Sequence, residues 1–250
     1  MPEPRIALID IETAPILGYS WGLFDTNIMH VVEPTFILCF TVKWEHRKSA
    51  KTLALCDYPN YQDNKKSDKA LCEDLHKTLD DADIIVAHNG DSFDIKKINS
   101  RLIVHGFQPP SPFKTFDTLK AARKSFKFDS NKLDNIGRYL QVGRKMPHTG
   151  KDLFIGCVEG DPKAWAMMRK YNAQDVRLLD SVYQKIKPWT ATQPDLRAYT
   201  GQTGCPSCQS KNVQCRGFNV AKTRKTQRMQ CRDCGHWHSG RIIKDENVLA

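Results

Sequence analysis

No run of about 18 consecutive apolar residues occurs in the chain, which excludes a membrane-spanning helix. The first residues, MPEPRIALIDIET, have neither a signal-peptide layout nor an arginine-rich transit segment, so a cytoplasmic location is the expectation. Internal repeats and low-complexity tracts are missing, which excludes a repeat array. The nine cysteines are odd in number and mostly scattered singly, as at Cys39, Cys56, Cys72, Cys157 and Cys215, so the chain is not a disulfide scaffold. No Cys-His or Ser-His nucleophile pattern stands out. What is present is ordinary for a folded protein: 250 residues, 40% hydrophobic and 26% charged, enough for one α/β core and a small appendage.

The charge is uneven. The formal net charge is +10, and residues 201–250 hold nine Lys or Arg against three Asp or Glu. The last fifth of the chain therefore carries more than half of the excess. Such a basic end favours a polyanionic partner, with nucleic acid the foremost candidate.

Residues 5–11, 35–44 and 51–56 read as strands, the last two as a hairpin, so a mixed sheet is expected. Ser67 is placed to cap a helix over 68–80, with Leu71, Leu75 and Leu79 on one face. DADIIVAH, 81–88, reads as a buried strand. An Asn89-Gly90 turn and a helix over 92–105 follow, with Gly106 as its C-terminal cap. A short strand in 112–119 leads into a helix near 118–124, and another helix covers 131–140. The glycines and proline of 143–160 suggest an irregular, mobile loop. Asp161-Pro162 starts a long helix to about 186. Residues 1–190 are expected to form one α/β domain, 191–204 a linker, 205–243 a zinc module and 244–250 a polar tail.

Asp10 and Glu12 lie one residue apart on the first strand, so both carboxylates share a face while Ile9 and Ile11 point the other way. Acids on so apolar a strand call for a counter-charge, and a hard divalent cation would supply it. Asp94 follows the 81–88 strand and comes to the rim of the sheet. Asp91, three residues earlier, competes with it for that place or caps the helix. Phe93 would pack beneath the site or touch a base. Tyr171 and Asp175 share a face of the long helix.

The order of these motifs resembles the DEDD family of 3′–5′ exonucleases on the ribonuclease H-like fold, in its tyrosine-bearing branch. The likeness is nearest to the proofreading domain of family B DNA polymerases. DIET (10–13), HNGDSFD (88–94) and YNAQD (171–175) match the three motifs, and residues 116–145 resemble the stretch between the second and third. The resemblance covers roughly residues 5–185. It implies a mixed five-stranded sheet flanked by helices and a catalytic set of Asp10, Glu12, Asp94, Tyr171 and Asp175. It also implies two Mg²⁺ or Mn²⁺ ions and release of nucleoside 5′-monophosphates from single-stranded DNA or a DNA 3′ end. Asp10 would bridge the metals, Glu12 and Asp175 would complete the site that holds the attacking water, Asp94 would support the second, and Tyr171 would orient the water. Asn89 is a candidate contact to the nucleic acid. Lys132 and Lys145 are candidate backbone contacts, and His148 a substitute proton shuttle. Because no polymerase region follows, a stand-alone nuclease or the trimming part of a larger assembly is expected. An exoribonuclease or oligonucleotide trimmer, and a catalytically silent replication accessory protein, are the alternatives.

Cys205-Pro-Ser-Cys208 and Cys231-Arg-Asp-Cys234 are separated by 22 residues. Four thiolates at this spacing make a tetrahedral structural Zn²⁺ site, and the module resembles a zinc ribbon. Cys215, His236 and His238 are spare ligands. Between and after the knuckles, Arg216, Lys222, Arg224, Lys225 and Arg228 could meet phosphates, and Phe218 and Trp237 could stack on bases or fill a small core. Docking to a replication or repair protein is the other use of such an arm.

Overall fold

The first apolar run forms β1 (Ile6–Thr13), the middle strand of a five-stranded sheet in a computed structural model that describes residues 3–24, 27–222 and 224–243. A short pair, β2 (Leu17–Tyr19) and β3 (His30–Glu33), follows it as a separate antiparallel hairpin. β4 (Ile37–Trp44) then lies antiparallel beside β1, and β5 (Lys51–Ala54) antiparallel beside β4. After α1 (Lys69–Asp81), β6 (Ile84–Ala87) pairs parallel with the other edge of β1. α2 (Asp94–Val104) leads to β7 (Lys114–Asp117), parallel to β6, which gives the order β5-β4-β1-β6-β7. The mixed sheet expected from the sequence is therefore the one observed.

α3 (Thr118–Ser125), α4 (Leu133–Tyr139), α5 (Lys151–Glu159) and α6 (Pro162–Ile186) complete the main domain. Leu71, Leu75 and Leu79 of α1 and Ile98 and Leu102 of α2 share one buried cluster with Ala7, Ile9 and Ile11 of β1. Val176, Leu179, Val182 and Tyr183 of α6 share a second cluster with Ile6 and Leu8. Alternate residues of β1 thus feed opposite layers, as the period of two requires. Asp10 and Glu12 belong to the Ile6–Leu8 series and so face α6.

Several local expectations need correction. Ser67 does not cap α1. Asp68 is the residue at the N-cap, and its carboxylate makes no capping bond. That carboxylate is fully buried, where it accepts the Ile37 N–H at 2.8 Å, Arg101 Nε at 2.8 Å and Nη2 at 2.7 Å, with His105 Nε2 at 2.6 Å. Burial alone would raise its pKa, but Arg101, the Ile37 N–H and His105 hold it below the ordinary value. One acid thus ties the start of β4 to α1 and α2.

The stretch 143–160 is not one irregular loop, because α5 occupies 151–159. Its glycines have other jobs. Gly160 takes the left-handed C-cap at φ 89°, and a Cβ on Gly156 would stand 2.8 Å from the Ala164 Cβ, so Gly156 lets α5 lie close on α6. The third strand ends at Ala54, with a 3₁₀ turn over Leu55–Asp57, and the 58–66 loop holds another over Pro59–Tyr61. The β2–β3 hairpin was not expected, since its two short strands carry no clear alternation. Trp21, Leu23 and Phe24 beyond β2 are almost wholly exposed. Asp161 caps α6 by accepting the Lys163 N–H at 2.9 Å, with Pro162 in the first turn, as read from the sequence.

Residues 191–204 are more than a spacer. Leu196 is buried in the second cluster, and α7 (Arg197–Thr200) follows it. The Leu196 N–H donates to Pro206 O at 3.0 Å and Gln193 Nε2 to Ser207 O at 3.0 Å, which fastens the first cysteine pair to the main domain. β8 (Val213–Ala221), β9 (Arg224–Cys231) and β10 (Trp237–Ile243) then form a three-stranded antiparallel sheet in the order β10-β9-β8. The expected polar tail 244–250 lies outside the described residues. Among the described residues no helix is long and apolar enough to cross a membrane.

Removing the Asp68 carboxylate leaves Arg101 and the Ile37 N–H without their buried partner. Asp68→Ala should cost about 3–5 kcal/mol in urea unfolding. A loss below about 1 kcal/mol would mean that the cluster is already solvated.

Candidate active site and cysteine cluster

β1 runs further than its parallel neighbour. Pairing with β6 ends at Leu8–Val86, whereas pairing with β4 continues through Asp10–Thr41 and Glu12–Cys39. The Ile11 N–H is therefore left without a strand partner on the β6 side, and Asp94 Oδ1 accepts it at 3.1 Å. This bond holds Asp94, which is buried at the start of α2, against the back of the acid pair. The turn that delivers it is tight. Asn89 has φ 66°, its N–H donates to Asp117 Oδ1 at 3.0 Å, and a Cβ on Gly90 would fall 2.3 Å from the Ala87 Cβ. Asp91 points elsewhere, to Lys120 Nζ at 2.7 Å.

From the opposite layer, α6 contributes Tyr171, Asn172 and Asp175, all buried. Oxygen atoms of Asp10, Glu12 and Asp175 lie within 4.8 Å of one another. Asn172 Nδ2 donates to Asp10 Oδ2 at 2.7 Å. Lys145 Nζ reaches Asp175 Oδ2 at 2.6 Å and the Tyr171 hydroxyl at 3.4 Å. Asp175 Oδ1 is buried and has no hydrogen-bond partner among the described residues.

Sequence reasoning gave Lys145 only as a candidate backbone contact and passed over Asn172. For Asn172 a signal existed, because it lies three residues before Asp175 on the same helix. For Lys145 there was none, because it comes from the irregular segment before α5.

The electrostatics follow from crowding. Burial, then the charges of Asp94, Glu12 and Asp175, push Asp10 well above the ordinary carboxylate value. Burial and Asp175 push Glu12 up to about 8. Burial pushes Asp94 up to about 6 against the pull of the Ile11 N–H. Burial also raises Asp175, with Lys145 opposing. Burial and Asp175 raise the Tyr171 phenol, which therefore keeps its proton at neutral pH and acts as a donor. His148 lays its ring 4.6 Å from that of Tyr171 and accepts the Gly150 N–H at 3.1 Å. His88 is structural: its Nε2 bonds Asn131 O at 3.0 Å and its Nδ1 meets the Thr118 hydroxyl at 2.9 Å.

Carboxylate oxygens with an unpartnered buried lone-pair atom among them fit a hard divalent cation better than a soft one. Asp10, Glu12 and Asp175 could hold it, and Lys145 now supplies the positive charge on Asp175.

The four cysteines meet at the base of the small sheet. Cys205 Sγ and Cys234 Sγ are 3.6 Å apart, and Cys208 Sγ and Cys231 Sγ 3.7 Å. A tetrahedron with Zn–S bonds of about 2.3 Å has edges of about 3.8 Å, so the sulfurs already have the spacing of a Zn²⁺ cage. The residue after each second cysteine, Gln209 at φ 59° and Gly235 at φ 81°, turns left-handed, and the Ser207 N–H donates to Cys205 Sγ at 3.4 Å. Cys215 is exposed, and neither it nor His236 or His238 joins the cluster. His236 Nδ1 instead contacts Pro188 O at 2.8 Å.

Of the candidate contacts to nucleic acid, Phe93 is exposed at the start of α2 and does not pack beneath the site. Arg216, Lys222, Arg224 and Arg228 are exposed on the small sheet. Lys225 Nζ lies 4.6 Å from the Phe218 ring centre, and the Arg228 guanidinium 5.4 Å from that of Trp237. Both rings are partly exposed and neither fills a core.

Residues 32–187 match the family described as the RNase_H superfamily. The chain belongs to the RNase H superfamily. The match begins after β1, so Asp10 and Glu12 are placed by the sheet register and not by the match. The structure of the family B DNA polymerase from the hyperthermophilic archaeon Pyrobaculum calidifontis is similar at a TM-score of 0.56 and 17% identity, over 75% of this chain. This chain spans 25% of that polymerase chain, and at such identity the likeness is one of fold. No curated protein matches in sequence.

Two tests address the candidate metal sites of this RNase H superfamily member. A carboxyl whose pKa is raised by folding binds its proton more tightly in the folded chain, so stability is lost as pH climbs from the unfolded value through the raised one. In EDTA the melting temperature should fall from about pH 5 to about pH 8, and Mn²⁺ should restore it more at the higher pH. Glu12→Gln should flatten both trends, whereas a wild-type profile indifferent to pH and to Mn²⁺ would contradict the account. For the cysteines, released zinc should amount to one ion per chain and be lost in Cys208→Ser. Purified protein free of zinc with an intact small sheet would remove the assignment.

Proposed function

We propose that the chain is a metal-dependent 3′–5′ exonuclease of the tyrosine-bearing DEDD type. Its substrate would be a single-stranded DNA end and its product nucleoside 5′-monophosphates. The observation that carries this reading is the meeting of Asp10, Glu12 and Asp175 oxygens within 4.8 Å, with Asp175 Oδ1 buried and unpartnered among the described residues. Membership of the RNase H superfamily supports it. DNA is preferred over RNA because the motifs resemble polymerase proofreading domains.

Bound Mg²⁺ or Mn²⁺ ions would relieve the repulsion among the acids, activate water and stabilise the leaving 3′-oxygen. The chain's own groups do the rest. Asp10 and Glu12 are fixed by the β1 register and Asp94 by the Ile11 N–H, so little reorganisation accompanies binding. Asn172 orients the Asp10 carboxylate. The protonated Tyr171 hydroxyl donates a hydrogen bond at the rim of the site and positions water or phosphate oxygen. Lys145 opposes the upward shift of Asp175 while the metal is absent, and once displaced from that carboxylate it would offer a cation to the scissile phosphate. The four-cysteine arm would hold one Zn²⁺ and present Arg216, Lys222, Arg224, Lys225 and Arg228 with Phe218 and Trp237 to nucleic acid. Exposed rings beside cations favour that use over docking to a protein.

The test uses 5′-labelled and 3′-labelled single strands of DNA and RNA with Mg²⁺ or Mn²⁺. Wild type should shorten 5′-labelled DNA stepwise and release labelled mononucleotide at once from the 3′-labelled strand. Asp10→Ala and Asp175→Ala should lose on the order of 10³-fold or more in rate. Tyr171→Phe should lose about 10- to 100-fold. Preferential loss of RNA would point to an exoribonuclease. No degradation of either polymer, with Asp10→Ala identical to wild type, would leave a silent binding protein.

A further inference from the structure

Beside the acids, between α6 and residues 144–147, runs an open groove of about 500 Å³. We propose that this groove is a track for the backbone phosphates of a single nucleic-acid strand, held by Arg144, Lys170 and Arg177. The proposal rests on the nuclease reading above for its direction, since it places the strand that leads away from the scissile bond.

Among the described residues, five cations line the groove (Arg144, Lys145, Arg169, Lys170 and Arg177) and no carboxylate does. Two of them are already neutralised: Lys145 by Asp175, and Arg169 by Asp57. The other three are exposed, and among the described residues none of them makes an ion pair. That is not the habit of this chain's helices, where Lys77 pairs with Glu73 and Arg138 with Asp134 one turn away. Lys170 and Arg177 stand two turns apart on α6. The positions between them where a pairing acid would sit are Ala173 and Gln174. Three uncompensated cations around one concavity concentrate a positive potential that attracts a polyanion.

The walls are built to hold their shape. Gln174 Nε2 donates to Arg144 O at 3.2 Å, and the Lys145 N–H donates to Asp134 Oδ1 at 2.7 Å. The backbone that carries Arg144 is thus pinned to α6 on one side and α4 on the other. Lys145 belongs both to the groove and to the acid cluster, so the two are continuous. A strand whose end phosphodiester sits at the acids can lay its next phosphates along α6. Among the described residues no aromatic ring lines the groove, so the contact reads phosphate and not base, and it should be indifferent to sequence.

The test is equilibrium binding of 5′-labelled oligothymidylates of 3, 6 and 12 nucleotides, in Ca²⁺ and at several salt concentrations. Arg144→Gln/Lys170→Gln/Arg177→Gln should bind the 12-mer at least tenfold more weakly. Its log–log salt slope should be smaller by about 2, as the loss of three phosphate contacts on a single strand requires. The deficit should shrink as the strand shortens from 12 to 3 nucleotides, and the charge-preserving Arg144→Lys/Lys170→Arg/Arg177→Lys should restore most of the affinity. Equal affinity and slope in wild type and the glutamine variant would overturn the track. So would the same deficit at every length, which would mark a pocket for the terminal nucleotide only. Wild type that binds the 12-mer but does not cut it in Mg²⁺ or Mn²⁺ would sink the nuclease reading, while the binding comparison still decides the track.

Discussion

Carboxylates repel one another most where water is scarce, and the end of β1 gathers Asp10, Glu12, Asp94 and Asp175 into such a place. An isolated buried charge is too costly to keep, so each of these groups needs a partner or a proton. The protein supplies three partial answers: the Ile11 N–H for Asp94, the Asn172 amide for Asp10 and the Lys145 ammonium for Asp175. None covers Asp175 Oδ1. Burial and mutual repulsion push the Asp10 and Glu12 carboxyls above their ordinary values, so both hold a proton more tightly while no cation is bound. The fold therefore holds together groups that repel when ionised, and a divalent cation would let them ionise side by side.

The architecture exists to keep those groups together in spite of this. β1 outruns β6, which frees one N–H for Asp94. α6 lies across the Ile6–Leu8 face and brings Tyr171, Asn172 and Asp175 down on the acid pair. Asp68, far from the site, locks α1 and α2 to β4 and so steadies the layer from which Asp94 projects. Hydrophobic burial in two clusters, one on each side of the sheet, stabilises the whole against the cost of the acids. Outward from the cluster the charge changes sign, first at Lys145 and then at the unpaired cations of the groove along α6.

Much of this was legible in the sequence, for reasons that can be stated. Asp10 and Glu12 stood out because a period of two on an apolar strand leaves two acids on one face. α6 announced itself through Asp161-Pro162, and the cysteine cluster through the spacing of its two pairs. Asp94 was preferred to Asp91 only through the motif resemblance, because the physical choice depends on where β6 stops relative to β1, which is a matter of register between distant segments. Asp68 was hidden behind Ser67, since a residue suited to capping can be drawn into tertiary contacts instead. α5 was masked by glycines that serve packing and capping. Lys145 was invisible in its role because its partner lies 30 residues away on another element. The β2–β3 hairpin, too short and irregular to show a period, went unread.

The central claim is that the carboxylates around Asp10 are a divalent-cation site for which Lys145 stands in. Anomalous diffraction from crystals grown with Mn²⁺ tests it most directly. The account predicts manganese between the Asp10 and Asp175 carboxylates, with the Lys145 amine displaced from Asp175 Oδ2. Crystals saturated with Mn²⁺ that show no manganese there, and Lys145 still bonded to Asp175, would contradict it.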